Sequence, residues 1–196
     1  NGAFGERIGE IADLHGIPRT TLRYEWGKLC DPLDVERALA SDPDIFAVAM
    51  IHHETSVGLL NPVPEVGAVC RRYDRLFMVD AVSSLGGEDL DVVRDGIDIC
   101  FSSANKCLHA VSGVSFLCVH ERVWSRIEDV NPRVYYLDMK RYRRYARDLA
   151  QTPFTPAVST FFALDAALDE LLAAGIDARN RQYRARSQRI RAALSE

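Results

Sequence analysis

Ile8, Ile11 and Leu14 recur at helical spacing and Gly16 and Pro18 close the segment, which predicts a helix from about Ala3 to Leu14. The run TTLRYEW, Thr20 to Trp26, alternates and predicts a strand. Asp31-Pro32 then caps a helix carrying Leu33, Val35 and Leu39. From Ile45 to Ile51 (IFAVAMI) every position is apolar, the pattern of a strand covered on both faces in a parallel sheet. A helix from Pro64 to Tyr73, a strand from Leu76 to Val79, a helical turn from Leu90 to Arg94 and strands at Ile97 to Phe101 and Val114 to Val119 continue the rhythm. Strands alternating with helices predict an α/β fold whose sheet lies between helix layers.

Beyond Val119 the pattern changes. Glu121 to Ile127 reads as a short helix, whereas Pro132 to Leu149 is rich in Arg and Tyr without clean periodicity and reads as a mobile or partner-facing segment. The breaker cluster from Thr152 to Pro156 precedes an amphipathic helix ending at Gly175, and an Arg-studded helix from Asp177 to Leu194 ends the chain. Helices at both termini, without flanking linkers, predict a chain cut from a larger protein.

With 196 residues, 47% of them hydrophobic, the chain can bury one sizeable core. Its 24 basic and 28 acidic residues give a net charge of −4, which argues against nucleic acid as the main partner. No apolar run approaches the roughly 20 residues of a membrane span, and NGAFGERIGE has no signal-peptide layout, so a cytoplasmic protein is expected. Five cysteines without a CxxC pair suggest reduced thiols. His52, His53 and Glu54 look like metal ligands, but consecutive strand residues point to alternate faces. Ser83, Ser84, His109 and Asp98 compose a hydrolase triad only on paper, since no G-x-S-x-G elbow is present. The Arg/Tyr segment lacks an RNA-binding signature.

Glu54, Asp80 and Lys106 each fall near the end of an apolar strand, 26 residues apart, about one βαβ step. Ligands of open parallel sheets sit outside the carboxyl ends of the strands, so these three are expected on one rim. A carboxylate at Asp80 needs a cationic or hydrogen-bonding partner. Lys106 is one of only three lysines among 24 basic residues, and an amine between apolar walls has its pKa lowered and becomes a nucleophile toward aldehydes. The alternative is a structural ion pair between the two.

Four strings carry a resemblance: NGAFGER (1–7), HHETSVGLLNPVPEVG (52–67), MVDAVSSLGG (78–87) and SSANKCLHAVSG (102–113). Together they resemble the class V aminotransferases, pyridoxal phosphate enzymes of fold type I, and within that family the 2-aminoethylphosphonate:pyruvate group in particular. The resemblance implies that Lys106 attaches to the coenzyme aldehyde and moves a proton, while Asp80 holds the ring nitrogen in its charged form. It implies that Phe4 stacks on the ring, with a core contact as the alternative, and that Val82 packs the opposite ring face. Thr55 is matched to the ring hydroxyl. Ser103 and Asn105 are matched to the phosphate, with turn chemistry as their alternative. Thr155 matches a threonine that reaches the partner's coenzyme phosphate, which implies a homodimer with its active site at the interface.

The family's members are nearly twice as long, and their opening phosphate turn and substrate-binding arginine have no match here. The expected organisation is therefore a coenzyme-binding large domain over 1–175, lacking its N-terminal part, and over 176–196 the start of a helix leading toward a small domain. The stretch CLHAVSGVSF (107–116) departs from the Gly and Pro usual in the phosphonate group. The reaction implied is transfer of an amino group from a small donor, 2-aminoethylphosphonate, to pyruvate. An alanine- or serine-glyoxylate aminotransferase and a non-catalytic remnant stay open.

Overall fold

The computed structural model describes residues 1–195; Glu196, the last residue of the expected second domain, lies outside them. Helix α1 spans Ala3–Leu14 and α2 Pro32–Ser41, followed by strand β1 Ala47–Ile51, the short strands β2 His53–Glu54 and β3 Leu59–Leu60, and helix α3 Val63–Arg72. Strands β4 Leu76–Asp80, β5 Ile99–Ser103 and β6 Ser115–Val119 follow, then helices α4 Glu121–Ile127, α5 Met139–Leu149, α6 Val158–Ala174 and α7 Ile176–Ala193.

The main sheet has the order β1-β4-β5-β6, with β1, β4 and β5 parallel and β6 antiparallel at the edge. Its register sets Ile51, Asp80 and Phe101 level with one another at the carboxyl ends of the parallel strands. β2 and β3 form a separate antiparallel pair. The α/β architecture with a mainly parallel sheet agrees with the sequence pattern.

Local chemistry explains the helix boundaries. The Asp31 side chain accepts from the Leu33 N–H and Pro32 opens α2, so a free donor and a missing donor are settled together. Arg71 and Arg72 sit in the last turn of α3, where cations complement the helix dipole. Val35 and Leu39 of α2 and Val63, Val66, Val69 and Cys70 of α3 pack on Phe77 and Val79 of β4 and Cys100 of β5 to form the core. Gly67 permits this packing, since a Cβ there would lie 1.9 Å from the Asp95 carbonyl oxygen. A smaller cluster on α6 brings Leu171 with Leu108 against Gly86.

A bidentate ion pair ties the residue just before β5 to α4: Asp98, 3% exposed, holds the Arg122 guanidinium and also accepts from the Phe77 N–H at 2.8 Å. Asp98 is therefore structural and plays no part in a triad with His109. Among the described residues no helix is long and apolar enough to cross a membrane.

Several expectations need correction. Residues 20–26 form no strand: they find no pairing partner and are tethered through side chains, Tyr24 donating to Asp34 at 2.9 Å and Trp26 to Glu6 at 3.2 Å. β1 is an edge strand in the main sheet, and Ala49 is exposed, so β1 is not covered on both faces as expected. The helical turn expected near Leu90 to Arg94 is present as a single turn and no full helix: Asp95 N–H donates to the Asp91 carbonyl at 2.9 Å, and the Asp91 carboxylate caps it by accepting from the N–H groups of Val93 and Arg94. The Arg/Tyr stretch contains α5, which Asp138 caps by accepting from Lys140 N–H at 3.0 Å and which Ala150 ends in a left-handed conformation. Arg143 stacks over Trp124 at 4.7 Å and Arg141 over Tyr135 at 4.1 Å, so much of this basic face is spent on aromatic contacts.

Candidate functional site

Asp80 is the last residue of β4, at the carboxyl end of the sheet. Backbone hydrogen bonds lock it on both sides: His52 N–H donates to its carbonyl at 2.9 Å, and the next residue, Ala81, donates to Phe101 at 2.9 Å. Among the described residues its carboxylate accepts one hydrogen bond, from Val82 N–H at 2.8 Å. Burial pushes this carboxyl above its usual pKa, the Val82 bond pulls it down, the Glu54 charge adds to the rise and Arg7 opposes it. A half-buried acid with a free oxygen and a raised pKa suits a protonated ring nitrogen, whose charge relieves the cost of burying it.

Lys106 lies three residues past the end of β5, on the strand next to β4. No ion pair between Asp80 and Lys106 occurs among the described residues, so the structural-salt-bridge alternative is not realised. Lys106 is exposed, so the described residues do not enclose its amine in the apolar walls expected around it. It is reachable by an aldehyde instead of being desolvated in advance. Its loop is closed by backbone bonds from His109 N–H to the Lys106 carbonyl and from Ala110 N–H to the Ala104 carbonyl, each 3.0 Å.

Phe4 stands in the first turn of α1, half-buried, with Arg7 4.9 Å above its ring. What fixes this turn was not legible in the sequence. Glu54, fully buried, points its carboxylate at the start of α1 and accepts from Phe4 N–H at 3.1 Å and Gly5 N–H at 2.9 Å. Its other oxygen accepts from Ser56 hydroxyl at 2.6 Å and Ser56 N–H at 3.3 Å. Burial raises this carboxyl's pKa, but the bonds from Ser56, Gly5 and Phe4 together hold it below the usual value. Glu54 thus caps α1 from 50 residues away, and Gly2 leaves the room: a Cβ there would lie 2.3 Å from the Glu54 Cγ. The nearest signal in the sequence was the position of Glu54 at the rim, which carried no role.

Thr55, next to Glu54, is exposed, and Val82, two residues past Asp80, is half-buried. Phe4, Thr55, Asp80 and Val82 therefore gather at the ends of β1 and β4 through Glu54, while Ser103 ends β5 and Asn105 is exposed in the turn before Lys106. Thr155 is not joined to this group. It is exposed in the loop between α5 and α6, beside Phe154, whose ring stacks with Tyr136 at 4.8 Å.

The remaining polar residues are engaged separately. His52 bonds the Ser84 hydroxyl at 2.9 Å and His53 the Ser83 carbonyl at 3.1 Å, so His52, His53 and Glu54 face three different partners. Burial, with a smaller push from His53, brings His52 down to about 4, so it is neutral at physiological pH. Ser84 is buried against His52 and unavailable as a nucleophile.

The family model described as Aminotransferase class-V matches residues 10–196. The chain belongs to the class V aminotransferase family. This family is pyridoxal phosphate-dependent. An uncharacterized aminotransferase of Methanocaldococcus jannaschii is 39% identical over 194 residues, covering 98% of this chain and 50% of that protein. A 2-aminoethylphosphonate–pyruvate transaminase of Klebsiella pneumoniae is 37% identical over 198 residues, covering 99% and 53%. Among solved structures, alanine–glyoxylate aminotransferase from Nostoc sp. superposes with a TM-score of 0.89 at 26% identity, covering 95% of this chain and 50% of that one. The chain spans about half the length of the curated relatives it matches.

Proposed function

We propose that this class V family member works, in its whole protein, as a pyridoxal phosphate-dependent aminotransferase that takes an amino group from 2-aminoethylphosphonate and passes it to pyruvate, giving phosphonoacetaldehyde and alanine. The observation that carries the reading is the placement of Asp80 and Lys106 at the carboxyl ends of adjacent parallel strands, with the Asp80 carboxylate accepting a single backbone hydrogen bond among the described residues. Bound pyridoxal phosphate supplies an aldehyde for amines and a ring that takes up the electron pair left when the donor carbon loses its proton. In this reading Lys106 carries the coenzyme and moves that proton, and Asp80 keeps the ring nitrogen protonated. Phe4 and Val82 sandwich the ring, Thr55 orients its hydroxyl, and Ser103 and Asn105 hold the phosphate. Thr155 completes the phosphate cup of a second copy, so the active form is a homodimer. Residues 1–175 belong to the coenzyme-binding domain and 176–196 begin the connection to another.

The donor assignment is supported by relatives that share 36–38% identity and carry the 2-aminoethylphosphonate–pyruvate transaminase name. A second reading, alanine- or serine-glyoxylate transfer, is favoured by the similarity to the Nostoc enzyme. The test is to load the protein with coenzyme and follow its absorbance on adding 2-aminoethylphosphonate, alanine or serine separately. A spectral change with the aminophosphonate, reversed by pyruvate, is expected. A change with alanine or serine alone, reversed by glyoxylate, establishes the second reading, and coenzyme uptake without response to any amine marks a non-catalytic remnant.

A further inference from the structure

Helix α7 touches both loops that carry the proposed chemistry. On the Lys106 side, Arg179 donates to the Cys107 carbonyl at 2.9 Å, and the Tyr183 hydroxyl shares a hydrogen bond with His109 Nε2, their rings meeting edge-on at 6.0 Å. On the Asp80 side, Asn180 donates to the Gly87 carbonyl at 2.8 Å and to Glu88 at 3.1 Å. The two loops meet beneath the helix: Cys107 sulfur lies 3.4 Å from the Ser83 carbonyl, and a Cβ on Gly87 would fall 2.8 Å from that sulfur and 3.0 Å from the Tyr183 ring. The turn from Asp80 to Glu88 is itself continuous, through the bonds from Val82 to Asp80, Leu85 to Ala81 and Glu88 to Ser84.

His109 makes the contact informative. Its φ of 65° lies in the left-handed region, which residues with a Cβ rarely adopt and which persists when surrounding structure holds it. Its N–H closes the ring of backbone onto the Lys106 carbonyl, and its side chain is held by a residue 74 positions later. The conformation that sets the direction of Lys106 is therefore pinned from α7, whose later turns, Ile190 among them, are exposed.

We propose that α7 is a positioning element for Lys106, with Tyr183 and Arg179 as positioning residues that fix the loop bearing the amine against the loop that follows Asp80. The inference rests on the reading of Lys106 as the coenzyme-binding amine.

The test compares Tyr183→Phe, Arg179→Ala and Arg179→Lys with the exposed control Arg189→Ala in the same chain, by three readouts: thermal midpoint, hydrogen exchange at the amides of Ala104, His109 and Ala110, and the rate of borohydride trapping of pyridoxal phosphate at Lys106. At little-changed midpoint, both variants are expected to speed exchange and slow trapping, Tyr183→Phe by about fivefold, the scale one neutral hydrogen bond controls, and Arg179→Ala, which removes a bond from a charged donor, by about tenfold or more. Arg179→Lys retains part of the effect and Arg189→Ala matches wild type. Unchanged exchange in both variants overturns the proposal, as does faster exchange with unchanged trapping. If wild-type protein traps no coenzyme at Lys106, the cofactor reading falls, and exchange alone, which needs no coenzyme, still decides whether α7 holds the loop. Should a variant lose its fold, exchange in the other decides.

Discussion

Replacing Glu54 by Gln removes one charge at constant size from the point where β2 meets α1. One carboxylate oxygen serves the N–H groups of Phe4 and Gly5 and the other serves Ser56, so an amide leaves one of these sets facing a donor. Gln is expected to turn its oxygen toward α1 and leave Ser56 to rearrange. Losing the charge at the helix start costs about 0.3–2 kcal/mol. Losing a charge-assisted bond in a fully buried site adds about 1.5–3 kcal/mol. The combined loss is about 2–5 kcal/mol, which for a chain of this size lowers the thermal midpoint by roughly 4–20 °C. Urea unfolding followed by circular dichroism measures it. The pH dependence provides a second check. The folded carboxyl titrates below its unfolded value, so its contribution is complete above the unfolded pKa near 4.5 and is lost as pH falls through the lower folded value. The gap between wild type and E54Q must therefore narrow in acid. A gap under about 0.5 kcal/mol at pH 7, within the range of ordinary surface substitutions, or one that does not narrow on acidification, would refute the capping role.

Further expectations concern the acid at the rim and the core. Asp80→Asn raises the stability of the coenzyme-free chain while abolishing turnover of the loaded protein: the folded carboxyl titrates above its unfolded value near 3.8, so its ionisation subtracts stability that returns as pH falls. Solvent screening at this half-exposed group limits the gain to about 1 kcal/mol, read as the midpoint difference between pH 7 and pH 3.5. Asp98→Ala strands the Arg122 guanidinium and the Phe77 N–H and costs about 3 kcal/mol in urea unfolding. Gly67→Ala drives a Cβ into the Asp95 carbonyl and costs about 3 kcal/mol, detected the same way.

The parallel strands were legible because each is a short apolar run bounded by turn residues, and β1, β4 and β5 begin or end within two residues of the runs that predict them. The rim positions followed, since a polar residue after such a run has one place to go. Thr20 to Trp26 shows the limit of that reasoning: alternation marks a residue pattern, whereas a strand also needs a neighbour to bond. α5 escaped for a different reason: Met139, Tyr142, Ala146 and Leu149 do recur at helical spacing, but this narrow stripe is diluted by the arginines and tyrosines around it, and the Asp138 cap and Arg–aromatic stacking that hold the helix are polar features. The reach of Glu54 to α1 and of Tyr183 to His109 spans 50 and 74 residues, and no local pattern encodes partners so distant.

Peptide mass mapping after reduction of the protein with pyridoxal phosphate and borohydride addresses the chemistry at position 106 head-on. A single coenzyme-derived mass on Lys106, lost in Lys106→Arg at unchanged thermal midpoint, is the expected result. Label confined to Lys28 or Lys140, or label surviving in Lys106→Arg, would contradict it.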